Sequence, residues 1–70
     1  MEIKPGKYRH FKGNYYAVIG VARHSETMEP MVVYRALYGE GGLWVRPAAM
    51  WTEMVDRDGY HGPRFQYVGE

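Results

Sequence analysis

Two β-rich runs, residues 15–23 and 31–38, are joined by a short polar segment, and this pairing constrains the chain more than any other feature. Aromatic, β-branched and small residues fill both runs, the composition that favours strands. In the first run Tyr16, Val18 and Ala22 fall on one face, and Tyr15, Ile19 and Val21 on the other. Apolar residues on both faces fit a central strand of a small barrel, or one under a covering segment, better than a strand of an open sheet. Gly20, in the middle, lets the strand bend or lets another group approach.

The rest of the chain reads as short elements between turns. Residues 7–12 alternate aromatic with basic and form a first strand, and Gly13-Asn14 is expected as a two-residue turn. After Gly39-Glu40-Gly41-Gly42, residues 43–46 give a fourth strand, and Pro47 suits the first position of a helical turn. Met50, Trp51, Met54 and Val55 recur at helical spacing, which predicts one or two helical turns. Asp58-Gly59 and Gly62-Pro63 mark turns, and residues 64–68 return as a closing strand. The expected fold is mainly β: a small SH3-like barrel of about five antiparallel strands with one short helical turn, an OB-like barrel being the second choice. Residues 1–70 are read as one domain, with 1–5 a loose tail.

With 70 residues and no cysteine, the core rests on apolar packing alone. Seven Tyr, two Trp and two Phe supply it. Trp44 is expected inside as the core anchor, with Arg46 paired to Glu53 or capping a strand end, while Met50, Trp51 and Met54 form a lid. A formal net charge of +1 creates no long-range field that would draw a polyanion. No apolar run approaches the roughly 18 residues of a membrane span. The N-terminus lacks the apolar core of a secretory signal, and with the lack of cysteine this points to a soluble protein of the cytoplasm.

Several pieces, in order and spacing, resemble the DUF1653 family of short bacterial proteins, a domain of unknown function. They are Gly6-Lys7-Tyr8-Arg9-His10-Phe11-Lys12-Gly13, then Tyr16, Val18, Gly20, Ala22 and His24-Ser25-Glu26-Thr27. They continue with Val33-Tyr34, Leu37-Tyr38-Gly39, Leu43-Trp44-Val45-Arg46-Pro47, Met50 and Pro63-Arg64-Phe65. The resemblance covers residues 6–65. Ala17 stands where the family pattern leads one to expect a charged residue, and Trp51 where it leads one to expect Phe; both read as surface or packing variation. The resemblance implies one compact domain and supplies no reaction.

Arg23, His24, Ser25, Glu26 and Thr27 form the sharpest local signal. As a ligand loop, Arg23 or His24 would hold an anion and Glu26 would orient the imidazole. As a connection, Ser25 and Thr27 hydroxyls and the Glu26 carboxylate would accept backbone N–H groups. His10, His24 and His61 show no metal-ligand spacing, so no metal and no cofactor are expected. Ser25 and His24 are neighbours on extended chain and point apart, which argues against a nucleophile–base pair. The Gly39–Gly42 loop lacks the lysine and helix of a phosphate loop. Trp44 and Arg46 share a strand face and could stack on a ligand.

The reading is a binding module for a peptide, a protein or a small anion. Its working surface is Arg23, His24, Ser25, Glu26 and Thr27, with His10, Tyr34, Trp44, Arg46 and Arg64 around them. The alternatives are a single-stranded nucleic-acid module, through Tyr, Trp and Arg on strands, and a small-molecule enzyme or accessory subunit using His24 and Glu26. No catalytic residue is assigned and no membrane partner is expected. The chain is read as a monomer or a homodimer joined through an edge strand.

Overall fold

Glycine and polar turns divide the described residues into seven short strands and a single helical turn. The computed structural model describes residues 3–69. The elements are β1 (Gly6–His10), β2 (Tyr15–Arg23), β3 (Pro30–Ala36), β4 (Leu43–Pro47), α1 (Ala48–Trp51), β5 (Met54–Arg57), β6 (Tyr60–Pro63) and β7 (Phe65–Gly69). Five strands make one antiparallel sheet in the order β4-β3-β2-β1-β7, while β5 and β6 pair separately. The mainly β expectation holds. The closed barrel is not found: β4 and β7 are free edges of an open sheet.

Local chemistry explains each departure from the sequence reading. The first hairpin turns over residues 11–13 rather than at Gly13-Asn14. His10 N–H donates to the Asn14 carbonyl at 2.8 Å and Gly13 N–H to the His10 carbonyl at 2.7 Å. Gly13 supplies the φ of +108° that this three-residue loop requires. Met54 and Val55, expected on a helix, lie in β5, and α1 ends at Trp51. Asp58 and Gly59, both at positive φ, turn β5 back onto β6 in the manner of a type I′ hairpin. The turn was legible, but four-residue strands on either side were too short to show a period.

In β2 the pairing jumps from Val18–Tyr34 to Gly20–Val33, a bulge that bends the strand at Ile19. A Cβ added at Gly20 would meet no described atom within 4 Å, so of its two expected roles only the bend is realised. Tyr8, Val18, Val32 and Tyr34 from one face of the sheet pack with Ala48, Trp51 and Phe65 to form the core. The opposite face is uncovered, with Tyr15, Ile19, Leu43 and Val45 exposed. The expected burial of both faces of β2 is therefore not realised, because the covering elements all cross one side.

The two tryptophans exchange the parts expected of them. Trp51 is 2% exposed and stacks parallel to Phe65 with centroids 3.6 Å apart, while Trp44 is 59% exposed. Trp44 sits on the edge strand β4, where its pairing with Tyr34 covers one side only. Met50 and Met54 are exposed too, so the lid reduces to Trp51. Residues 1 and 2 of the expected loose tail lie outside the described residues. Ile3 packs on the core, and the Lys4 carbonyl accepts the Tyr8 hydroxyl at 2.9 Å.

Candidate functional site

The sheet curls around its aromatic core. If flat, its edge strands would lie roughly 19 Å apart, from four strand spacings. Yet Arg46, on β4, holds its guanidinium 5.5 Å from the ring of Phe65, on β7. Phe65, itself buried, is the centre of this cluster. His10 meets it edge-on at 4.9 Å, Tyr16 at 5.7 Å, and Trp51 backs it from within the core. Arg64, next to Phe65 in the chain, donates through Nη2 to Glu53 Oε1 at 3.2 Å. Glu53 thus pairs with Arg64 and not with Arg46, as had been expected.

Positive charge is concentrated here and incompletely answered. Arg46 is half-buried and belongs to neither of the two ion pairs among the described residues, Arg64–Glu53 and His61–Asp56. Its Nε is buried without a hydrogen-bond partner, as are Arg64 Nε and Trp51 Nε1. Orphaned buried donors are uncommon in native folds and call for an explanation. Burial holds the His10 imidazole below its usual range, and the nearby cations Arg46, Arg64, Lys12 and Arg57 push it the same way. Its Nδ1 accepts the Lys12 N–H at 3.2 Å, a bond that only an unprotonated Nδ1 can accept.

Tyr16 links this cluster to an open hollow of about 280 Å³. Its hydroxyl meets that of Tyr38 at 2.9 Å. Burial first, and then the bond to Tyr38, push the Tyr16 phenol up to about 12. Ala36, Tyr38, the Gly39–Gly42 loop and Trp44 line the hollow. Gly39 and Gly41 adopt positive φ, and Arg35 Nη1 donates to the Gly41 carbonyl at 2.8 Å, which shapes the loop. The hollow thus has Trp44 and Tyr38 in its lining, and Tyr38 joins it through Tyr16 to Phe65 and the basic cluster.

The segment from Arg23 to Thr27 lies elsewhere, in the β2–β3 turn, and spends its polar groups on itself. His24 Nδ1 accepts the N–H groups of Glu26 and Thr27 at 3.1 and 3.3 Å. Thr27 Oγ1 accepts the Glu29 N–H, and Arg23 Nη1 donates to the Met28 carbonyl. The Met28 N–H closes the turn onto the His24 carbonyl, with Met28 at a φ of 66°. Thr27 accepts a backbone N–H as expected, while the other acceptor is His24 and not the Ser25 hydroxyl or the Glu26 carboxylate. Of the sequence candidates, the fold thus brings His10, Arg46 and Arg64 together around Phe65, with Tyr34 buried beneath and Trp44 beside them. Phe65, Tyr16 and Tyr38 complete the face. None carried a local signal, since their meeting depends on the curl of the sheet.

No group of three or more His, Asp or Glu side chains among the described residues could hold a metal ion. No helix among them is long and apolar enough to cross a membrane.

Fold and face define a small all-β domain, an open antiparallel sheet wrapped over an aromatic stack with a basic cluster at its mouth. The chain belongs to the DUF1653 family, "Protein of unknown function (DUF1653)", whose model matches residues 6–67. It is similar, at 44% identity and a TM-score of 0.89, to the crystal structure of a DUF1653 protein from Bordetella bronchiseptica, over 97% of this chain and 90% of that one. None of the curated proteins matches the chain. The resemblance read from residues 6–65 is borne out.

Proposed function

We propose that the domain is a binding module whose concave face takes a small anion carried on an aromatic body. The observation that carries this reading is Arg46: a half-buried guanidinium over the Phe65 ring, beside Arg64 and His10, with no carboxylate of its own. Charge-assisted hydrogen bonds from guanidinium to carboxylate or phosphate are strong and directional, so an anion there answers a charge that no described carboxylate pairs with. Trp44 and the Tyr16–Tyr38 pair give the ligand's ring a surface to stack on. Followed by NMR, phenyl phosphate is expected to shift His10, Phe65 and Trp44 signals at lower concentration than inorganic phosphate, with neutral phenol weaker than both. Arg46→Met is expected to abolish the response. No shift with any anion up to millimolar concentration, or an unchanged response in Arg46→Met, sinks the reading.

A second reading, a single-stranded nucleic-acid module, is favoured by charge segregation. Strands β1 to β4 and β7 carry Lys7, Arg9, Arg23, Arg35 and Arg46 but no Asp or Glu. It requires oligonucleotide affinity that falls steeply with salt; an affinity indifferent to salt excludes it.

A further inference from the structure

The two edges of the sheet are protected very differently. At the β7 edge the pairing with β1 is broken by a bulge at Lys7–Tyr8, and the strand ends at Gly69 with φ 132°. The β4 edge has no bulge, and its proline stands only at the end, at Pro47. Its pairing with β3 runs in regular register from residue 43 to 47, and Leu43, Trp44 and Val45 are consecutive and each more than half exposed. Flat, apolar, unguarded edges invite another strand, and folded proteins normally blunt them with lysine, proline or a bulge.

The hydrogen-bond phase of this edge follows from the β3–β4 loop. The Ala36 N–H donates to the Gly42 carbonyl at 3.1 Å, which makes 36–42 a hydrogen-bonded pair in the register of these strands. Alternation then makes Tyr34–Trp44 and Val32–Arg46 hydrogen-bonded pairs too. The N–H and C=O groups of Leu43 and Val45, and the carbonyl of Pro47, therefore point away from the sheet. Pro47, which has no N–H to offer, closes the run.

We infer that β4 pairs antiparallel with β4 of a second copy, about a two-fold axis through Val45. This register joins the two Val45 backbones by a pair of N–H···O bonds. It also sets each Leu43 N–H against the Pro47 carbonyl of the partner subunit, where the missing proline N–H costs only one bond on each side. Trp44 then faces Arg46 of the partner subunit across a close, non-hydrogen-bonded pair, indole against the arginine stem. The two copies of Arg46, the only charges on β4, stay apart. An axis at Arg46 would set them face to face, and one at Trp44 would leave each opposite the bare Gly42. The pairing is isologous, so it uses up the exposed edge and stops at two subunits. A five-residue edge contact is small, which makes the dimer weak and concentration-dependent.

Sedimentation velocity from micromolar to millimolar protein is expected to show a monomer–dimer equilibrium. Val45→Lys sets two cations against each other on the axis at an exposed position, and is expected to remain monomeric throughout with the same circular dichroism. Amide exchange on the unaltered protein supplies an independent reading: Val45 and Leu43 N–H groups should gain protection as concentration rises, and Tyr67, whose N–H points outward from the β7 edge, should not. A monomer at every concentration overturns the inference. So does a dimer that survives Val45→Lys, or Val45 exchange that is fast and independent of concentration.

Discussion

The β2–β3 turn and the concave face carry similar residue types, arginine and histidine beside hydroxyl groups, and use them in opposite ways. In the turn, His24 Nδ1, Thr27 Oγ1 and Arg23 Nη1 all go to backbone groups within six residues. On the face, Arg46, Arg64 and Trp51 each hold a buried donor that no protein group meets. Polar side chains clustered in sequence tend to satisfy each other locally. Those brought together by the sheet come from distant strands, and the half-buried Arg46 charge among them is left without a described carboxylate. Unpaired charge, and not polar density, marks the proposed working surface.

The comparison predicts first where stability resides. Trp51 lies under the concave face, stacked on Phe65 and in edge contact with Tyr8. Trp51→Ala should cost about 3–5 kcal/mol, as large-to-small core changes do. A 70-residue domain holds roughly 3–10 kcal/mol in all, so this variant should lose a third or more of its stability. Trp51→Phe keeps a stacking ring and should retain most of the stability in a urea titration. A mild loss for Trp51→Ala would mean that the face is not built on that stack.

His24→Ala tests the other region. It removes an acceptor for two N–H groups in an exposed turn, where water replaces it in part, so the expected loss is about 0.5–1.5 kcal/mol. The response to phenyl phosphate should be unchanged. A lost response with little change in stability would move the site to the turn and reverse the contrast.

His10 allows the comparison to be read through pH. Its folded pKa lies below the unfolded value of 6.5, so the unfolded chain takes up the proton first. The stability it contributes is complete above that value and is lost as pH falls through the lowered folded pKa. Urea midpoints should therefore decline on acidification, and less so in His10→Gln. An anion bound beside Arg46 offsets the surrounding positive charge, so phenyl phosphate should raise the His10 pKa seen by NMR. A pKa unmoved at saturating ligand would place the anion elsewhere.

The contrast also explains what could be read before the structure. Strands β1 to β4 and β7 were legible because their apolar runs and turns are local, and Asp58-Gly59 marked its turn for the same reason. The closed barrel is not found: apolar residues on both faces of β2 promised closure, while in the fold its outer face stays exposed and β4 and β7 share no backbone pairing, meeting through the Arg46–Phe65 contact. Trp44 and Trp51 were exchanged because size alone ranks them equally for the core, and only edge position separates them. His10, Arg46 and Arg64 were each selected from sequence. Phe65, Tyr16 and Tyr38, which join them into one surface, depend on strand register and curl that no local pattern encodes.

The smallest stability effect is expected at the residue with the largest role in binding. Arg46→Met keeps an unbranched stem over Phe65 and removes the charge. The loss is a cation–π contact of about 0.5–1 kcal/mol. Against it stand an orphaned buried Nε and repulsion from Arg64 and from any proton on His10. An unmet buried donor alone carries a penalty of about 1–3 kcal/mol. The terms nearly cancel, with a slight lean toward gain, so the urea midpoint should hold or rise, most visibly at low salt where repulsion is least screened. Losing the anion response at undiminished stability would identify Arg46 as a residue held for a ligand. A loss of several kcal/mol would instead make it a strut of the fold, and the contrast between the turn and the face would collapse.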